Sequence, residues 1–366
     1  MSLSADQIAI RDAARDFLAA NASFDDVRTA LSGSDGWSPG LWKQFAVELG
    51  FAALAIPEAQ GGSGLGVAEL AIVAEELGAS LAPIPWFESA VLATLTLIEV
   101  GAQAELAQIA AGRIATLAFR DAVGAHLPGG VGPEIRDGAL TGAAHFVSFA
   151  AAAELLIVVA REQPGLSLVA IAASAPGVEI TPVTTFDLTR PLATIQFNTV
   201  DIAAKRLCPA GGGEAAFMRA LSMSGAILAA EQVGGMRRTL EEALAYAKQR
   251  VQFGRTIGSF QAMKHRFADM KLLLEGARSA AAWAIDAIAA NDPEAPIACA
   301  GAQAYCSDAY LRIAAEGVQL HGGIGFTWEH HAHLFFKRAR SSSALLDPPA
   351  HHREQVARAI IAAPAT

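Results

Sequence analysis

Cysteine is scarce in this chain of 366 residues. Cys208, Cys299 and Cys306 show no Cys-x-x-Cys spacing and are odd in number, so no complete disulfide framework forms and a reducing compartment is expected. Charge is sparse as well: 17% of residues are charged, and the balance is -9 with a pI near 5.5. That balance excludes the basic surfaces needed by nucleic acid phosphates or anionic lipid. Long apolar runs are also missing. The run from Ala220 to Ala230 is bounded by Arg219 and Glu231, well short of the ~20 residues that span a bilayer. The opening MSLSADQIAIRDAARDF brings acidic residues early and no apolar h-region, so the expectation is no secretory leader and a cytoplasmic location. What is abundant is hydrophobic residues, at 53%. They suffice for a large core, and the length suggests two or three domains.

The texture changes twice along the chain. Ser4 with Gln7 forms a capping-box pattern that opens an amphipathic stretch through Phe17, and helical periods recur over Leu41 to Leu49 and Val67 to Leu77. Between the last two lies AIPEAQGGSGLG, where Pro57 and four glycines predict a loop. From about Ile114 to Val200 come short β-branched runs, LLIVVA, LSLVAIAA, VEITPV and ATIQFNTV, separated by turn residues. After Gly211 to Gly213 the helical pattern returns near 214 to 248, 260 to 290 and 296 to 319. The order predicts three domains: helical over 1–113, β over 114–210, helical over 211–366.

Two segments concentrate chemistry. YAKQRVQFGRTIGSFQAMKHRFADM, Tyr246 to Met270, ends one helix, turns through Gly254 and Gly258 and begins another. Arg250 can offer a planar fork to a pyrophosphate, Phe253 a flat apolar face to a ring, and Gln261 an amide to ribose or base edges. Taken singly, Arg250 is equally a helix C-terminal cap and Phe253 a core residue. In QLHGGIGFTWEHHAHLFFKRA, Gln319 to Ala339, Gly322 and Gly323 let backbone come close to a ligand phosphate. His330, His331 and His333 with Glu329, and His351 with His352, lack the i, i+4 spacing of zinc-helix motifs, so no metal is expected.

Together these segments resemble the acyl-CoA dehydrogenase family, whose C-terminal domain carries an Arg-x-x-Phe-Gly turn, a downstream Gln and a Gln-x-x-Gly-Gly-x-Gly element. Trp42 to Gly78 is similar to that family's N-terminal helical domain, so the resemblance spans nearly the whole chain. It implies an α+β fold with an N-terminal helical domain, a middle β-barrel or sandwich domain and a C-terminal four-helix bundle that mediates dimerisation. It also implies FAD as cofactor and an acyl-CoA thioester as substrate. Arg250, Gln252, Phe253 and Gln261, with Gln319, Gly322 and Gly323, would then touch the pyrophosphate and adenine end of an FAD held mainly by the neighbouring subunit.

Oxidising an acyl-CoA to the enoyl thioester needs a base for the α-proton while the flavin accepts a hydride from the β-carbon. The family uses a glutamate, either in the loop after the Gly-Gly element or in the first long helix of the C-terminal domain. In the loop, SSSALLDPPAHHREQ places Leu346 at that position, next to Asp347. In the helix the expected position is Ser224, and the first acid beyond it is Glu231. Asp347 and Glu231 are the candidate bases. Against them stand plain alternatives: Asp347 before Pro348 shapes a turn, and Glu231 bonds an arginine such as Arg237 or Arg238. The family's flavin-facing strand and loop are replaced by ATLAFRDAVGAHLPGG, with Arg120, Asp121 and Gly124, and its Trp-x-Thr by Phe146 and Ser148 in HFVSFA. Some branches of the family, in degradation of steroid side chains and similar bulky acids, pair a catalytic subunit with a related one lacking the base. Three readings follow: an acyl-CoA dehydrogenase working as a homo-oligomer, the subunit without a base in a heterotetramer, or a non-catalytic acyl-CoA-binding or assembly subunit that retains the fold.

Overall fold

The computed structural model describes residues 3–33, 35–124, 132–203 and 205–362. The chain divides into two compact units, and their packing cuts across the segmentation at 113 and 210. A helical unit joins Met1–Arg28 and Val67–Ala82 to Gly225–Thr366. A sheet unit gathers Thr29–Gly66 and Pro83–Ser224.

The helical unit opens with α1 (Ala5–Asn21), whose Ser4 accepts from the Gln7 backbone N–H while the Gln7 side chain accepts from the Ser4 N–H. That reciprocal pair satisfies two donors that a bare helix start leaves open. Next come the start of α2 (Phe24–Ser32) and α4 (Val67–Ser80), with α3 (Pro39–Trp42) lying between them in the sheet unit. The bundle itself is α7 (Glu214–Gln249) from Gly225 onward, α8 (Gln261–Ala289), α9 (Ala295–His321), α10 (Ala332–Leu345) and α11 (Pro349–Ala362). Two contacts explain how α4 seats on α7. A β-carbon at Gly78 would collide with the Glu231 carbonyl, and one at Gly234 with the Glu75 carbonyl. Missing side chains on both helices therefore let the two backbones touch. Arg237 crosses the same seam to Glu75 at 3.2 Å and Glu76 at 3.0 Å, and Arg15 of α1 reaches Glu76 at 2.7 Å.

In the sheet unit, α5 (Thr94–Glu99) and α6 (Gln103–Ala110) precede the strands β1 (Ala115–Ala118), β2 (Glu134–Arg136), β3 (Ala139–Ser148), β4 (Leu155–Glu162), β5 (Gly165–Ala172), β6 (Val178–Val183) and β7 (Leu192–Asp201). These form one seven-stranded sheet in the order β1-β4-β2-β3-β7-β6, with β5 also on β4. β1 runs parallel to β4, and the other long pairs are antiparallel. The uninterrupted apolar runs of β4 and β5 are buried for most of their length, as a doubly covered strand requires. Beside the sheet, Trp86 is 1% exposed and its indole N–H donates to Phe51 O at 2.7 Å. A buried ion pair, Arg190 to Glu88 at 3.1 Å, joins the turn before β7 to the helix at Phe87–Ala93. Among the described residues no helix is long and apolar enough to cross a membrane.

Candidate cofactor-binding site

The segment after α7 is a tight hairpin. β8 (Val251–Gln252) and β9 (Arg255–Thr256) pair antiparallel, Val251 opposite Thr256 and Gln252 opposite Arg255. The two residues between them, Phe253 and Gly254, have φ of 53° and 76°. Positive φ at both loop positions is the type I′ geometry, whose twist matches the flanking strands. Such a loop is normally Asn-Gly, because a side chain larger than Asn or Asp strains there. Phe253 nevertheless occupies the first position and is 92% exposed, meeting Phe260 edge-on at 6.2 Å. Arg255 lies over the Phe260 ring at 4.0 Å. Arg250, Gln252 and Gln261 are exposed as well. Gln252 donates to Val251 O at 2.9 Å, and the Gln261 amide is 3.2 Å from His265.

The second segment starts where α9 stops. Gly322 leaves the helix with φ 67° and ψ -144°, and a 3-10 turn follows over Gly322–Phe326. Nothing lies within 4 Å of where a β-carbon would stand on Gly322 or Gly323, so both present open backbone. Gly325, by contrast, is wedged against Val318 and His321. Gln319, one turn earlier, is exposed. Tyr246 and His321 hold the two segments at one end of the bundle, with ring centroids 4.8 Å apart. The ion pair of Arg266 with Glu316 at 3.3 Å braces α8 to α9 nearby.

A guanidinium, an exposed flat ring, three exposed amides and a bare Gly-Gly backbone at one end of a bundle suit an adenosine pyrophosphate: charge-assisted donors and N–H groups for the phosphates, an apolar face for the base. The sequence around these groups matches the model of the acyl-CoA dehydrogenase C-terminal domain over residues 211–361, and residues 4–112 match the N-terminal domain of the same family. This chain belongs to the acyl-CoA dehydrogenase family. The family's chemistry is flavin-dependent oxidation at a CH–CH donor. The acyl-CoA dehydrogenase IpdE2 of Mycobacterium tuberculosis is 36% identical over 93% of this chain and 92% of its own length. The ChsE4-ChsE5 complex from M. tuberculosis superposes with a TM-score of 0.90 at 27% identity, covering 100% of this chain and 99% of that one. PigA, solved with FAD and proline, superposes with a TM-score of 0.88 at 26% identity over 98% of each chain.

The two positions where the family resemblance leads one to expect a base, Leu346 and Ser224, are buried. Leu346 is 2% exposed, and its carbonyl accepts from the His352 Nε2–H at 2.9 Å. Ser224 is fully buried and donates to Ala220 O at 2.8 Å. Asp347 sits at φ 83° in the turn between α10 and α11, its carboxylate 4.0 Å from His351. Glu231 is buried in an ion pair with Arg338 of α10 at 3.1 Å, both side chains 7% exposed. The arginines expected beside it, Arg237 and Arg238, instead serve Glu75, Glu76 and Glu242. In the sheet unit, Arg120 donates to Gly124 O, and Asp121 accepts from the Val123 N–H at 3.0 Å, so the Arg120–Asp121–Gly124 turn bonds to itself. Ala125, His126, Leu127, Pro128, Gly129 and Gly130 of that loop lie outside the described residues. Phe146 sits at φ 53°, within the register shift between Ala144 and Val147, and is 40% exposed, while Ser148 is buried.

Sequence reasoning missed a cluster of stacked rings beside the Gly-Gly turn, formed by Phe24, Tyr246, His321, His330 and His331. The adjacent histidines were the visible signal. Their partners lie on other helices, where spacing in sequence cannot point.

Proposed function

We propose that this chain is the subunit without a base in a two-subunit, flavin-dependent acyl-CoA dehydrogenase. It lends its adenosine-side contacts to an FAD whose reacting end is built by a related partner. The observation that carries this reading is the asymmetry within the chain: an exposed adenosine-side surface, and buried, non-ionisable side chains at both family base positions. Arg250 would pair with the pyrophosphate of FAD, the backbone N–H groups of Gly322 and Gly323 would serve the phosphates, and Phe253 would offer the adenine an apolar face. Gln252, Gln261 and Gln319 orient the ribose and base edges. Bound FAD supplies the hydride acceptor. The partner's glutamate takes the α-proton of the acyl-CoA, a step for which Leu346 offers no acceptor. Related assemblies favour a bulky acyl group: the Tcur3481-Tcur3483 steroid ACAD superposes with a TM-score of 0.87 at 26% identity over 97% of this chain.

The test is expression of the chain alone and together with a related acyl-CoA dehydrogenase chain that carries a glutamate at the position of Leu346 or Ser224. Alone, the protein is expected to be colourless and inactive with a dye acceptor. Together, the two should co-purify yellow and oxidise a steroid-acid CoA thioester. A yellow, active homo-oligomer of this chain would sink the proposal.

A further inference from the structure

Five rings are stacked behind the Gly-Gly turn. Phe24, at the start of α2, lies flat on His331, with centroids 3.6 Å apart and planes 9° apart. His331 stacks on His330 at 4.4 Å, His330 leans on His321 at 4.2 Å, and His321 on Tyr246 at 4.8 Å. The column therefore ties together α2, α7, the last residue of α9 and the entry to α10. His321 is bonded directly to Gly322 in sequence, so whatever holds its ring holds the start of the turn.

Hydrogen bonds fix where the protons are. His321 Nδ1–H donates to Gly317 O at 2.7 Å, which leaves Nε2 as its proton-accepting atom. That nitrogen is buried without a hydrogen-bond partner, in a residue 4% exposed. His330 Nδ1 accepts the N–H of Ala332, the first residue of α10, at 3.0 Å, and so caps that helix. His331 Nε2 bonds the Glu242 carboxylate, which also accepts from Arg238 at 2.6 Å.

On His330 and on His321 an added proton is unfavourable. On His330 it would break the cap and set a cation at the positive end of α10. On His321 it would charge a buried atom of a ring whose centroid lies 4.2 Å from that of His330. The surrounding groups offer little relief. Arg28 comes from α2, Arg238, Glu242 and Tyr246 from α7, and His333 and Lys337 from α10, so the carboxylate of Glu242 is already engaged by His331 and Arg238. Burial pushes His330 down to about 4 and lowers His321 from its ordinary value.

We propose that the ring column is an acid-sensitive latch on the Gly322–Phe326 turn: the uncharged rings of His321 and His330 pin the turn to α7, and their protonation releases it. The half-site would thus be formed at neutral pH and come apart in mild acid. That the turn holds a cofactor rests on the function proposed above, whereas the latch itself does not.

Hydrogen exchange read by mass spectrometry on the full chain tests it, following peptides over 319–334 near pH 7.5 and pH 5 after correction for intrinsic exchange. Opening frees an imidazole that titrates near 6.5 instead of about 4. Protection over 319–334 should therefore fall about tenfold at the lower pH, allowing for partial solvent screening of the ring, and by more than that of α8 peptides. His330→Phe keeps a ring in the stack without a titrating nitrogen. It should lower protection at both pH values through loss of the cap but flatten the dependence on pH. Equal protection of the native chain at the two pH values overturns the latch, as does an undiminished dependence in folded His330→Phe. If that variant does not fold, the native comparison against α8 decides. Flavin release from the assembled complex, followed over the same range, separates the two ideas. Release in step with lost protection supports both, and retained flavin with lost protection leaves the latch standing while removing the turn from the cofactor site.

Discussion

Phe253 sits with φ at 53°, a backbone state that an L-residue with a bulky side chain occupies at a cost of roughly 1–2 kcal/mol. Asparagine tolerates that state far better, because its short polar group bonds the local backbone. Phe253→Asn should therefore raise the stability of the chain by about 1 kcal/mol in urea titration. The same change should weaken flavin binding by the assembled enzyme by about tenfold or more, since the exposed ring is the only flat face of the hairpin loop. A less stable variant would contradict the strain at this position, and one that holds flavin as well as the native chain would remove Phe253 from the proposed site. The hairpin that carries it is local: Arg250, Gln252, Phe253, Gly254 and Gln261 fall within one short stretch of sequence, and a hairpin needs no distant partner. Glu231 is not paired locally. Its two nearest arginines lie within two turns of the same helix but point to Glu75, Glu76 and Glu242, and the one that meets it is Arg338.

Among elements, the long helices could be read from periodicity because each buries a continuous stripe. The capping box placed the start of α1, and the helices near 214, 260 and 296 were found within a residue or so of their observed starts. The seam between α4 and α7 could not be read. Gly78 and Gly234 look in sequence like weak points of two helices, since glycine costs about 1 kcal/mol relative to alanine in a helix interior. In the structure each removes a β-carbon that would strike the facing carbonyl. The usual sign of a glycine-to-alanine change in a helix therefore reverses. Gly78→Ala should lower stability by about 1–3 kcal/mol, measured by chemical denaturation, with Gly101→Ala no guide because Gly101 lies outside a helix at φ 67°. A stabilised Gly78→Ala chain would show that the two backbones do not pack this closely.

For the molecule as a whole, the histidines set the response to acid. Burial lowers His321 and His352 from their ordinary values and pushes His330 and His333 down to about 4. The unfolded chain takes up these protons near 6.5, whereas the folded chain does so only at lower pH, so stability is full above about 6.5 and falls as pH drops towards 4. Burial pulls the Glu242 carboxyl up, but its hydrogen bond to His331 and the charges of His331 and Arg238 hold it below its ordinary value. It adds to the loss below pH 4.5 in the same direction. The urea midpoint should decline between about pH 7 and pH 5, before ordinary carboxylates titrate, and a flat midpoint over that interval would contradict the burial of these rings. The order helical, strand-rich, helical was legible along the chain, yet the packing units were not, because neighbours in space are not neighbours in sequence. The seam of Gly78 with Glu231 and Gly234 with Glu75 has a practical consequence for exchanging pieces between relatives. A graft that takes residues 214–366 from another member while keeping residues 67–82 from this one joins two surfaces shaped for different partners. Segments 67–82 and 225–240 have to travel together, and a chimera cut at residue 113 is expected to express poorly unless both sides of the seam come from the same parent.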